Sequence, residues 1–488
     1  MSEKILRGTL KRFESLMETR YSFCVVLVFC LAAYNFFYHL GAGPVYDWDE
    51  ARNGVNTYEM LQNHDFCAGT FNHQLDHWNL KPPLGDWCIL LGYRLFGFSI
   101  MGLRFYSAFS CLLMVIILLA VLPGIFGKIP TLLAGFVLTM TPLFIYAHGA
   151  RTGDFCSLFF LFYILFLVCL YKAGDRGGGL FLPLAGICFA LGFLVYSYHA
   201  VQLLVILIAY LFLTGLYREV SFGRYVGFFL CAFLPIAGWT IWRGSYPDGA
   251  EFLKTALVYD AVGRTTQVIE GHGGDWRDYF RDLGRENPYW SLYMAVGLLL
   301  YFAVVGFKAD IKNKPLILVV LGTLVPLTLF SIVPTKLVWY IDPIYPPLAV
   351  LTGWLTIRLL KEPKIQKVGK VIVFLLVTVA MIRSEREIWK IINIPDSRPS
   401  QKLLSELVAM NVPPRSEILK ASWGQADRFM AEVVCGLNPV SFKNPEDALS
   451  ESGFIMLEKD TTKANESFVR KNHLEVYLQN EEWMVVKL

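Results

Sequence analysis

The residues of this 488-residue chain best suited to chemistry stand early, where Asp47, Asp49 and Glu50, with Arg52 beside them, directly follow an apolar run of membrane-spanning length. A carboxylate held at a membrane surface can act as a general base on an acceptor hydroxyl, provided it lies near the headgroups where a lipid-bound donor presents its reacting group. Taken alone, acids after a span are more often the start of a solvated loop. His73 and His77 are spaced i, i+4 and would share one face of a helix as metal ligands do, but the residues around them do not complete a His-Glu-x-x-His motif. The ten cysteines show no metal-ligand spacing, and most lie inside apolar runs as small packing residues. Cys67 and Cys435 fall outside the runs, where a disulfide between them is a minor alternative.

The elements that must position these groups are set by composition. A hydrophobic fraction of 55% exceeds what one soluble core can bury, so the excess faces lipid. Tyr21 to Leu40, Phe105 to Phe126, Phe155 to Tyr171 and Val338 to Leu360 approach the roughly 20 residues that cross about 30 Å of hydrocarbon, and all such runs together give about eleven spans. No small-residue cleavage pattern follows the first run, which is therefore read as a span rather than a removed signal. Lys4, Arg7, Lys11, Arg12 and Arg20 precede it and place the N-terminus in the cytoplasm by the positive-inside rule. Basic clusters recur after alternate spans: Lys172 and Arg176; Arg218 and Arg224; Lys308, Lys312 and Lys314; Arg358 to Lys370. That alternation requires Leu84 to Phe98, which is short and holds Asp86 and Arg94, to be a re-entrant or interfacial helix. Loops 41–104, 148–154, 245–288 and 334–337 then face outside, as does everything after about Arg383.

From about Ile394 the sequence becomes mixed polar and apolar. Turn signals at Asn411-Val412-Pro413-Pro414 and Asn438-Pro439, a helical pattern from Gln401 to Met410, and short apolar strands at Glu417 to Lys420, Phe454 to Leu457 and Trp483 to Val486 predict a small external α/β domain over 394–488. The fold class expected is a mainly α polytopic membrane protein, with residues 1–393 forming the membrane domain.

Trp48-Asp49-Glu50-Ala51-Arg52, followed by Lys81-Pro82-Pro83-Leu84, Phe96-Gly97 and Leu103-Arg104, resembles the bacterial and archaeal branch of the protein O-mannosyltransferase and lipid A aminoarabinose transferase families. The likeness continues in Ala150-Arg151-Thr152-Gly153-Asp154, in Glu270-Gly271-His272, and in Lys336-Leu337-Val338-Trp339-Tyr340-Ile341-Asp342-Pro343, and it covers roughly residues 20 to 360. The resemblance implies the C-type glycosyltransferase (GT-C) fold and sugar transfer from a polyprenyl-phosphate donor with inversion. It makes Asp49 the candidate base, with Glu50 as its neighbour or substitute and Asp154 as the second acidic position. A departing phosphate needs cations that hold it more strongly in the transition state than in the ground state, and Lys81, Arg52, Arg104, Arg151 and Lys336 are the candidates. Tyr340 and His272 are candidates for hydrogen bonds to the phosphate or the sugar. For Arg104 and Arg151, plain snorkelling to headgroups is an equal reading. Where related chains often carry an acid just before Lys-Pro-Pro, this one has Asn79-Leu80.

The family implies an inner-membrane enzyme with an extracytoplasmic site, an undecaprenyl or dolichyl phosphate sugar as donor, and a lipid, glycan or protein acceptor. It requires no cofactor, although acids beside a phosphate leave room for a divalent ion. A polyprenyl-lipid transporter or flippase is the rival class, disfavoured because charged residues fall at the ends of the spans rather than near the midplane.

Overall fold

The computed structural model describes all residues except 1–14, 16–18, 176–177, 307–309, 311, 394–397 and 460–462. The basic residues Lys4, Arg7, Lys11, Arg12, Arg176 and Lys308, and the expected domain boundary at 393/394, lie outside the described residues.

The membrane domain is built from apolar helices: α1 (Tyr21–Phe37), α4 (Ile100–Val121), α5 (Lys128–Thr139), α6 (Cys156–Ala173), α7 (Phe181–Tyr196), α8 (Val201–Thr214), α9 (Phe222–Gly244), α10 (Pro288–Leu300), α11 (Lys314–Ile332), α12 (Tyr345–Lys361) and α13 (Lys367–Asn393). Among the described residues, six helical stretches are long and apolar enough to cross a membrane, and α1 and α5 are shorter apolar helices. The fold is thus mainly helical and polytopic. Exposed Phe, Leu, Ile and Val side chains cover α9, where Phe229, Leu230, Leu234 and Ile241 all face outward, as a lipid-facing surface requires.

Three features of the helices shape the site. Leu84–Phe96 forms the short helix expected there, α3, and Asp49–Asn63 forms a further helix, α2, that packs on it, while α3 also packs on α4. The run from Val338 is not one helix: a 3₁₀ segment occupies Val338–Ile344, and α12 starts only at Tyr345, because Pro343, Pro346 and Pro347 deny the amide donors a continuous helix needs. Finally, α7 and α8 are separated at Ser197, which has a positive φ of 54°, and Leu203 returns alongside Gly192.

The C-terminal region opens with helix α14 (Pro399–Ala409) and forms a five-stranded mixed sheet in the order β4-β3-β5-β7-β6. Strands β3 (Glu417–Lys420), β5 (Phe454–Glu458) and β7 (Trp483–Lys487) match the expected positions to within a residue. The sequence pattern missed β4 (Asn438–Ser441) and β6 (Glu475–Gln479), the two edge strands. Pro439 in β4 reads as a turn residue, yet an edge strand has a side where its missing N–H is not needed. The C-terminal region packs onto α2 through Phe429 of the π-helical turn Phe429–Val434, where a Cβ on Gly54 would fall 2.5 Å from the Phe429 ring, so only glycine admits that approach. A second short hairpin, β1 (Thr70–Phe71) with β2 (Gln74–Leu75), lies between α2 and α3.

Candidate active site

One cavity of about 620 Å³ is lined from every loop that the basic-cluster alternation puts on a single face: by Asp47, Trp48 and Asp49, by Trp78 to Lys81, by His148, by Asp260 to His272, and by Leu337 to Tyr340. Tyr196 and His199, at the break between α7 and α8, complete it. Loops far apart in sequence therefore gather at one end of the bundle.

At its centre the Lys81 ammonium donates to Asp49 Oδ1 at 2.6 Å. Asp49 opens helix α2, directly after Trp48, whose φ of 70° is an unusual value for a bulky residue. Such strain persists only where the surroundings over-determine it, and it clusters at functional positions. Lys81 precedes Pro82-Pro83, which lead straight into α3, and its ammonium lies over the rings of Phe155 and Tyr196. Burial works against the Lys81 charge, but Asp49 and Asp154 outweigh it and hold the ammonium above its ordinary pKa.

Behind this pair, His148 Nδ1 meets Asp154 Oδ2 at 2.5 Å, and the imidazole stacks on Trp339 with ring centroids 3.8 Å apart. Asp154 also accepts the Phe155 amide and the Cys156 thiol. Although burial opposes its ionisation, His148 and Lys81 bring the Asp154 carboxyl down to about 2. The same contact raises His148 against its own burial. Across the cavity, Arg264 donates to Asp260 at 2.9 Å, to the Tyr340 hydroxyl at 3.5 Å and to Glu270 at 3.4 Å. Asp260 is raised by burial, with Arg264 only partly offsetting it. Asp260 lies in the π-helical turn Ala256–Gly263 and Arg264 directly follows it; the loop beyond, 267–274, is pinned where Lys336 N donates to His272 O at 2.7 Å and the Thr335 hydroxyl bridges Gln267 and Ile269.

Of the residues expected from the sequence, Asp49, Lys81, Tyr340 and His272 line this cavity, and Asp154 sits one layer behind it through His148. The others do not line it. Glu50 is buried and saturated: Arg104 grips it twice, at 2.6 and 3.0 Å, and the Gly153 and Tyr46 amides donate to it as well. Arg104 spends its remaining donors on the Leu40 and Pro44 carbonyls. Arg151 neither snorkels nor faces the cavity; its guanidinium caps the end of α1 through the Asn35, Tyr38 and His39 carbonyls. Lys336 does the same for α11, donating to Phe330 and Ser331 at 2.7 and 2.8 Å. Cations satisfying the orphaned carbonyls of a helix C-terminus are a common solution. Arg52 forks onto Asp76 with two 2.7 Å bonds, and Asp76 in turn accepts the Trp78 and Asn79 amides, so this ion pair shapes the loop that delivers Lys81. His73 and His77 are not on a helix; they flank β2, and their rings approach Glu432 and Asp248 separately. Cys67 and Cys435 are both free thiols.

Arg264, His148, His199 and Asp260 were not legible beforehand. Among the described residues, Arg264 and Lys81 are the Lys and Arg side chains on the cavity wall, each paired with a carboxylate of the same wall.

The fold is that of a C-type glycosyltransferase. A model of the dolichyl-phosphate-mannose-protein mannosyltransferase family matches residues 80–242. The crystal structure of ArnT from Cupriavidus metallidurans bound to undecaprenyl phosphate superposes with a TM-score of 0.68 over 95% of this chain and 97% of that one, at 14% identity. An oligosaccharyltransferase from Archaeoglobus fulgidus gives 0.52 at 11% identity, covering 93% of this chain and 71% of its own. In sequence, the chain is 26% identical over 347 residues to an uncharacterised Aquifex aeolicus protein. It is 28% identical over 331 residues to an undecaprenyl phosphate-alpha-4-amino-4-deoxy-L-arabinose arabinosyl transferase 2 of Pseudomonas fluorescens. These matches cover 70% and 66% of this chain, but only 65% and 54% of the respective relatives. The resemblance drawn from the loop motifs holds in sequence and in fold.

Proposed function

We propose that this chain transfers a sugar from a polyprenyl-phosphate donor to an acceptor hydroxyl, or to a lipid or glycan phosphate, on the extracytoplasmic face of the inner membrane, with inversion. The observation that carries the reading is the Asp49–Lys81 pair on the wall of a cavity that also holds Arg264. The acceptor oxygen attacks the anomeric carbon as the bond from that carbon to the phosphate oxygen breaks. Asp49 takes the proton from an acceptor hydroxyl, and the polyprenyl phosphate leaves with the bonding electrons. Lys81 and Arg264 compensate the charge that grows on the phosphate, which is where preorganised cations lower a barrier most. The Tyr340 hydroxyl, held by Arg264, is placed to donate to the phosphate or the sugar. Asp154, held by His148 behind Lys81, joins Asp49 in keeping the ammonium protonated. In this reading α3 is a re-entrant or interfacial helix, and the C-terminal region sits outside with the site.

The test is sugar transfer by purified protein and by Asp49→Asn, using a panel of polyprenyl-phosphate sugars with membrane extract as acceptor. Transfer that disappears in a well-folded Asp49→Asn supports the reading, and the active donor names the sugar. Movement of polyprenyl-linked lipid across vesicles with no donor consumed replaces transfer with transport.

A further inference from the structure

Away from the cavity, three ligand-type side chains meet where the C-terminal region touches the first helix of the external segment. Glu59 comes from the last turns of α2, His73 from the tip of the β1–β2 hairpin, and Glu432 from the π-helical turn Phe429–Val434. One ligand atom from each lies within 4.8 Å of the other two. Both carboxylates are buried, Glu59 completely and Glu432 to all but 4%. Glu432 Oε1 is enclosed, has no hydrogen-bond partner, and stands 3.6 Å from His73 Nε2. Its other oxygen has only a long 3.5 Å contact to Arg428. Glu59 accepts the His73 amide on both oxygens, at 3.1 and 3.0 Å, which sets its carboxylate toward the hairpin tip. The His73 side chain is 61% exposed, so the cluster is reachable from solvent.

Two buried carboxylates this close repel each other, and Arg428 pairs with Glu432 alone, at 3.5 Å; the usual remedies are a shared proton or a cation. We infer that Glu59, His73 and Glu432 bind a divalent transition-metal ion of the zinc type, which fastens the C-terminal region to the helix carrying Asp49. An imidazole with two carboxylates is a three-ligand set that leaves a fourth position for water, and the imidazole favours zinc over magnesium or calcium. Bonds of about 2.0–2.2 Å in a tetrahedral site put ligand atoms roughly 3.3–3.5 Å apart, so closure on the ion needs about 1 Å of side-chain movement. The fastening is next to contacts of the same kind: Asp47 accepts the Ala426 amide at 2.8 Å, and Gln401 exchanges two hydrogen bonds with the Val45 backbone.

The experiment uses the full chain in detergent, stripped with a chelator, with zinc ion alone as the probe. Zinc content after dialysis and the thermal unfolding midpoint are measured for the wild type, His73→Asn, Glu432→Gln and the control His473→Asn. Asparagine tolerates the positive φ of 57° at position 73, so His73→Asn keeps the hairpin folded. The wild type and His473→Asn are expected to keep one zinc per chain and to gain an upward shift of the midpoint when zinc is restored. The other two variants are expected to lose both. Equal zinc retention by His73→Asn, no zinc effect on the stripped wild type, or equal stabilisation by magnesium overturns the inference. The binding readout does not depend on sugar transfer, so it stands or falls separately from the transferase reading.

Discussion

Glu50→Gln separates holding from chemistry at the acidic motif. The substitution keeps the shape but puts an amide NH₂ where a carboxylate oxygen had accepted two donors. Whichever way it turns, the NH₂ faces either Arg104 Nε and the Gly153 amide or Arg104 Nη2 and the Tyr46 amide. Arg104 is left with its charge buried and its strongest partner gone. Breaking one half of a buried pair costs about 3–5 kcal/mol, or roughly two to three and a half decades in the folded-to-unfolded ratio. Asp49→Asn, by contrast, removes a partly exposed carboxylate and should leave folding nearly intact while removing turnover. The assay pairs thermal unfolding in detergent, followed by intrinsic fluorescence, with sugar transfer at a temperature where each variant is folded. Glu50→Gln should unfold well below the wild type yet retain most of its transfer. A Glu50→Gln protein as stable as the wild type but inactive would refute the holding role and return Glu50 to the chemistry.

Lys81→Ala and Arg264→Met should each lower transfer about a hundredfold or more, and equal losses of folded protein and activity would make them structural instead. Arg151→Gln and Lys336→Met should each cost about 1–3 kcal/mol of stability through uncapped carbonyls, with the donor KM unchanged; a large KM effect would restore them to the phosphate site. The His148–Asp154 pair gives stability a pH profile with two edges. The imidazolium, raised by Asp154, contributes fully below its ordinary value of about 6.5 and loses its contribution as pH rises through the folded value. The Asp154 carboxylate, depressed to about 2, contributes fully above about pH 4 and loses its contribution as pH falls toward 2. His148→Gln should flatten the alkaline edge, and an unchanged unfolding-versus-pH curve would count against the pair. Arg94→Cys, on the exposed end of α3, should be labelled from outside the cell; labelling from the cytoplasm alone would mean that α3 crosses the membrane.

Much of the architecture was legible because apolar runs of spanning length form the helices of the bundle. Asp49 and Lys81 were legible because each adjoins the start of a helix in a motif of fixed order. Arg264 was not: it has no motif spacing, and it follows a π-helical turn whose onward loop, 267–274, is pinned by Thr335 and Lys336 from sixty-odd residues away. Arg104, Arg151 and Lys336 were misplaced for one reason. A cation near a span end looks the same in sequence whether it faces a phosphate, a buried carboxylate such as Glu50, or the carbonyls at the end of a helix, and only the packing decides. Edge strands β4 and β6 were lost because their exposed, proline-bearing or weakly apolar sequences lack the pattern of a buried strand.

The break between α7 and α8 has a mechanical consequence for the cavity. At about 1.5 Å per residue the 16 residues of α7 and the 14 of α8 reach about 24 and 21 Å, and the 3₁₀ turns Gly178–Leu180 and Ser197–Ala200, at about 2.0 Å per residue, bring each close to the roughly 30 Å of ordinary hydrocarbon. The chain therefore turns at one end of two full-length helices, and Tyr196 and His199 in that turn form part of the cavity wall. A wall anchored by two helices at once has little freedom to swing, so the Tyr196 ring stays against the Lys81 ammonium.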